Sequence, residues 1–275
     1  MELNEYESKG LEEINKWEKE KHGGFHKKIL DVISKPVDYI IKKIGPEKFK
    51  IFEGAVAATI NQMLYASTYT VNPKELIKRA HEHGITIKDL SELKTCPLEL
   101  LDDCNRKHIN FHERASAVQG AVAGIGGGLV ATVDLTAVLV QDFHMLQEIA
   151  FCYGYNPNDI IEKEIILRVI EAGIGGSEVK FKALKEIEIL KVIEDKKTET
   201  EANGKRISVL GAKALEEYIE DLSVSLLGRL IPRALPIPIV TIAISAHSNH
   251  EIMEHSGNTA FMVYRKRFIE RKKEL

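Results

Sequence analysis

The stretch from Ala115 to Tyr155 limits most severely what this chain can fold into. Between Gly120 and Val140 lie 21 residues with one charge, Asp134. That length matches the roughly 20 apolar residues needed to cross a hydrocarbon core. Two features argue against a simple span. Gly124, Gly126, Gly127 and Gly128 crowd together, and each glycine weakens a helix interior by roughly 1 kcal/mol relative to alanine. A carboxylate at mid-span costs a further ~2.5–3.5 kcal/mol on insertion scales. The pattern predicts a break near Gly126–Gly128 and a fresh helix from about Leu129 to Tyr153.

The polar residues of that second helix are ordered. Asp134, Gln141 and Glu148 recur every seven residues, so each drifts only about 20° from the last. His144 stands beside the same stripe, three residues after Gln141 and four before Glu148. Two readings are open. The stripe is a polar groove for a ligand, ion or proton, or its side chains bond to neighbouring helices and fix their register. Gly120, Gly124 and Gly128 form a ridge of small residues that lets two helices approach closely, in a membrane or in a soluble core.

Helix-forming residues dominate elsewhere and alternating strand patterns are hard to find, which predicts an all-α multi-helix bundle around the apolar, glycine-rich centre. At 275 residues the chain can bury a substantial core. A net charge of -3 gives no case for nucleic acid as a partner. The G-I-G-G-G run follows helical sequence, so it is not a nucleotide fingerprint. Cys96, Cys104 and Cys152 form no C-x-x-C pair and read as reduced cytosolic thiols. The charged N-terminus is not a signal peptide. These features predict a cytoplasmic protein, either free or peripheral at the inner face of the cell membrane.

Along the chain, Glu5–Lys21 reads as an amphipathic helix whose Trp17 sits in core or at a lipid interface. Helices are also expected over Phe25–Ile44, Phe49–Tyr69, Pro73–His83 and part of Asp89–Asp103. His108 and His112 stand four apart on one helical face, a spacing that can hold a metal. No third ligand is fixed by spacing, so the pair is expected to be solvated or capping. Asp159 is an N-cap for a helix from Ile160 to Ala172. Residues about 178–206 read as a charged helical insertion or hairpin within one domain, with an exposed turn from Lys191. A long helix over Val209–Leu230 and a proline-interrupted apolar stretch, Leu230–Ala246, follow. The final helix carries Arg265, Lys266, Arg267, Arg271, Lys272 and Lys273. This basic tail either faces an anionic leaflet or stabilises the negative end of its own helix.

The order of several segments resembles the EcsC family. They are YESKGLEEINKWEKE, FEGAVAATIN, CPLELLDDC, GAVAGIGGGLVATVDLTAVLVQDFHMLQEIAFCYGYNP and LPIPIVTIAISAHSNHEIMEHSGNTAFMVYRKRF. Thr241 departs from a glycine that the family favours, while Asn249 matches its asparagine. The resemblance implies an all-helical bacterial protein at the cytoplasmic side of the membrane, associated with transport machinery such as an ABC transporter. It implies no reaction.

The first expectation is therefore a non-enzymatic accessory protein that touches the membrane surface or a membrane complex. Alternatives are a soluble protein holding a lipid-like or small ligand at the Asp134/Gln141/His144/Glu148 stripe, and a metal-dependent hydrolase using His108, His112, His144 and Glu148. No catalytic residue, cofactor or metal ligand is assigned from sequence.

Overall fold

The computed structural model describes residues 2–20, 41–42, 45–65, 72–82, 84–123, 130–201, 218–220, 222–224 and 241–274. Side chains at 79, 90, 115–123, 130–136, 195–201 and 241–249 lie outside that description. Among the described residues the elements are α1 (Glu5–Lys19), α2 (Pro46–Tyr65), α3 (Pro73–Glu82), a 3-10 helix (Leu90–Thr95), α4 (Leu98–Ala123), α5 (Val130–Cys152), α6 (Ile160–Ile174), α7 (Ser177–Glu201) and α8 (Thr241–Glu274). No strand occurs among them, as the all-α reading predicts. None of these helices is long and apolar enough to cross a membrane.

The last helix organises the rest. α8 packs most extensively on α4 and also contacts α6, α5 and α1. Its inward face carries Ile252, Met253, Ala260, Phe261, Tyr264 and Phe268, all buried. α6 is buried almost all round, from Ile161 to Ile174, as befits a helix with no solvent face. Its N-cap Asp159 accepts from the Ile161 N–H at 2.9 Å, in line with the sequence reading. At Gly173 an added Cβ would meet the Ser256 Cα at 2.7 Å. The backbones of α6 and α8 are therefore in direct contact, which only glycine allows.

Electrostatics fix how α8 docks. Arg267 forms a two-pronged pair with Glu162, at 2.8 and 3.0 Å, and also reaches Glu194 at 2.7 Å. Arg265 meets Asp102 at 2.8 Å and Glu13 at 2.7 Å, lying over Gly10. Lys266 bridges Glu18 and Glu188, and Lys272 reaches Glu7. α1 begins with a capping box, Asn4 taking the Glu7 N–H at 2.8 Å and Glu7 the Asn4 N–H at 3.0 Å.

Boundaries differ from expectation in places. α7 stays helical to Glu201, where the sequence reads a turn from Lys191. Buried Ala183, Ile187 and Leu190 give this charged segment an apolar stripe, and that stripe holds the helix against α6. Most of the helix expected over Phe25–Ile44, the break at Gly126–Gly128, most of the helix over Val209–Leu230 and most of the stretch Leu230–Ala246 lie outside the described residues.

Candidate metal centre

On α4, Cys104, His108 and His112 follow one another every fourth residue and so occupy one face. On α5, Glu148 and Cys152 have the same spacing. The two helices run antiparallel along this seam, so Cys104 meets Cys152 at one end while Glu148 meets the two histidines. The sulfurs are 3.5 Å apart. One Glu148 oxygen lies 3.2 Å from His108 Nδ1 and 3.0 Å from His112 Nε2. Ligand atoms of Cys104, His108 and Cys152 all fall within 4.8 Å of one another.

All five side chains are buried. Burial opposes a charge on His108, but hydrogen bonds to Cys104 and Glu148, and the charges of both, lift it to about 9. Burial likewise works against ionised Glu148, yet the two imidazoles hold its carboxyl well below the usual range. The carboxylate takes Nδ1 of His108 and thereby orients the ring, the role carboxylates play behind metal-bound histidines.

The donor set is chemically selective. Two thiolates on a tetrahedral zinc ion, at about 2.3 Å each, stand about 3.8 Å apart, close to the 3.5 Å seen here. Two sulfurs and an imidazole suit zinc and softer transition metals, not calcium or magnesium. Glu148 is one turn from Cys152 and is available as a fourth ligand or as the second shell.

The histidine pair is therefore not solvated or capping, as the sequence reading expects. A facing helix supplies partners 36 or more residues away, which spacing within α4 cannot reveal. Glu148 of the predicted stripe lies in this seam. His144 is half-buried one turn before it, where burial pushes its pKa down against the pull of Glu148. Gln141 is half-buried too, its Oε1 without a partner among the described residues. The Asp134 side chain and the surroundings of Gly120, Gly124 and Gly128 lie outside the description. Cys104 and Cys152 are the residues that sequence reasoning left out of the site. The i, i+4 rule applied outward from His108 and Glu148 reaches both.

The six basic residues of the C-terminus are largely engaged within the fold. Arg265 and Arg267 are buried and ion-paired, Lys266 and Lys272 meet carboxylates, and Arg271 donates to the Tyr153 carbonyl at 3.0 Å. Lys273 lines a cavity of about 870 Å³ with Lys94, Tyr155, Lys191 and Arg271. None of the five seam residues lines that cavity.

Comparison with known proteins finds sequence similarity along nearly the whole chain. Residues 8–269 match the EcsC protein family. The chain is similar to an uncharacterised protein, YdbA, of Bacillus subtilis (strain 168), with 26% identity over 271 residues covering 96% of this chain and 93% of the relative. No solved structure matches it. With a family match over almost its full length, the chain belongs to the EcsC protein family.

Proposed function

We propose that this EcsC-family chain is a transition-metal protein that holds one zinc-class cation in the seam between α4 and α5. The observation that carries this reading is the buried convergence of Cys104, His108 and Cys152 within 4.8 Å. Cys104, His108 and Cys152 are the ligands, and Glu148 orients His108 or completes the coordination. Binding releases the ligand protons, so affinity rises with pH. The cation ties the start of α4 to the end of α5, a structural and regulatory role that needs no turnover.

The test is the metal content of the purified full-length protein after zinc loading and desalting, by inductively coupled plasma mass spectrometry. One zinc per chain is expected, and far less in a Cys104→Ser/Cys152→Ser variant that keeps its helical circular dichroism. No retained zinc in the parent, or equal zinc in the variant, defeats the reading.

A second reading draws on the apolar stretches 120–140 and 230–246. In it the protein is an accessory at the cytoplasmic face of the membrane, with transport or secretion machinery as its partner. Salt-resistant flotation with anionic liposomes supports it; sedimentation with every lipid opposes it.

A further inference from the structure

The same two sulfurs that serve a cation are also each other's nearest reactive partners. Cys104 Sγ and Cys152 Sγ lie 3.5 Å apart on facing helices, though the two residues are 48 apart along the chain. A disulfide needs a separation of about 2.05 Å, so the sulfurs have about 1.5 Å to travel. Closing that distance requires both side chains, or the helices that carry them, to shift. Cys96 is a built-in contrast: it is half-buried and its thiol donates to the Glu92 carbonyl at 3.5 Å.

Both cysteines lie near helix ends. Cys152 is the last residue of α5, closed by a turn in which Gly154 adopts φ +81°. There the Tyr155 N–H reaches the Ala150 carbonyl and the Gly154 N–H the Phe151 carbonyl, at 3.0 and 2.8 Å. Cys104 falls within the first two turns of α4. A water-sized oxidant reaches the buried sulfurs through transient opening of the fold.

We infer that Cys104 and Cys152 close into a disulfide across the seam when no cation occupies it, which makes metal occupancy and oxidation alternative states of one site. This rests on the metal reading above only for the occupied state; the pairing itself rests on the sulfur geometry. The oxidant is a hydroperoxide. One thiolate attacks the peroxide, the O–O bond breaks, and a sulfenic acid and hydroxide form; hydroxide takes the thiol proton and leaves as water. The second thiol then displaces the sulfenic oxygen, the S–S bond forms, and a second water departs. The two sulfurs lose two electrons and the peroxide gains them.

The experiment uses the full-length protein in metal-stripped and zinc-loaded forms, each treated with hydrogen peroxide. Free thiols are then counted by alkylation under denaturing conditions and intact mass, and the linkage is located by peptide mapping without reduction. The metal-stripped protein is expected to fall from three free thiols to one, with Cys104 linked to Cys152 and Cys96 still free. The zinc-loaded protein keeps three. Three thiols surviving in the stripped form, a linkage involving Cys96, or equally fast oxidation with zinc bound overturns the inference. Zinc content on the same samples tests the metal reading separately. A Cys104–Cys152 linkage in a protein that takes up no zinc upholds the pairing while removing the metal, whereas zinc uptake without any linkage does the reverse.

Discussion

Asp142 gives the sharpest prediction about stability. It is fully buried on α5, and neither carboxylate oxygen has a hydrogen-bond partner among the described residues. Its neighbour is Ser256 of α8, the residue whose backbone presses on Gly173 of α6. Burial pushes its pKa from 3.8 up to about 8, against slight relief from the Ser256 hydroxyl. The folded state therefore holds this proton more tightly than the unfolded chain does. Its contribution is complete below about pH 4, the unfolded pKa, and is lost as pH rises through about 8. About three of the four units lie between pH 5 and pH 8, and at about 1.36 kcal/mol per unit the loss over that interval is on the order of 4 kcal/mol. An Asp142→Asn side chain cannot ionise and escapes this loss. The assay is urea unfolding of parent and variant at pH 5 and pH 8. The variant is expected to gain on the parent by several kcal/mol between the two conditions. An identical pH dependence in both proteins refutes the claim that a buried, unpartnered Asp142 governs it.

Three further perturbations follow from the packing. Glu162→Gln removes the charge that pairs with the buried Arg267 and leaves one amide oxygen to serve both Arg267 and the Tyr264 hydroxyl, so thermal unfolding should show a loss of about 3–5 kcal/mol. Gly173→Ala sets a methyl group against the Ser256 backbone and should cost roughly 1–3 kcal/mol in denaturant titration. By contrast, Gly54→Ala on α2 meets nothing within 4 Å and should gain up to about 1 kcal/mol from helix propensity. Zinc at about 1,000 times its Kd should stabilise the parent by about 4 kcal/mol, an increment expected to vanish with chelator and in Cys152→Ser.

Helices α1, α5 and α6 are legible in the sequence, as is the polar face of α5 that includes Glu148. Residues 141, 144 and 148 share a face because of helical arithmetic alone, and Cys152 continues it by the same arithmetic. Cys104, His108 and His112 are equally regular. What a single sequence does not contain is the antiparallel register that sets one helix against the other. His112 and Glu148 are 36 residues apart, and nothing local ties them. The basic C-terminus shows the same limit. A run of cations reads as facing a membrane or the negative end of its own helix until Asp102, Glu162 and Glu194, carried on three other helices, converge on Arg265 and Arg267. Burial of charge is decided by partners, and the partners come from the tertiary fold.

The seam and the docking of α8 share one set of supports. Asp102, two residues before Cys104, accepts from the Tyr153 hydroxyl at 2.7 Å and the Tyr6 hydroxyl at 2.9 Å, and pairs with Arg265 at 2.8 Å. Tyr153 directly follows Cys152, and its carbonyl receives Arg271. Burial raises the Asp102 pKa while Arg265 and the two hydroxyls work to lower it, so the carboxylate depends on those partners to stay charged. The groups that place the two sulfurs side by side are thus the groups that seat the C-terminal helix and α1. A cation or a disulfide formed at the seam would act on a joint where α1, α4, α5 and α8 already meet. Asp102→Asn weakens that joint without touching a ligand, so it should loosen α8 and lower zinc affinity together. Loss of only one of the two would mean that the seam and the helix anchor are independent.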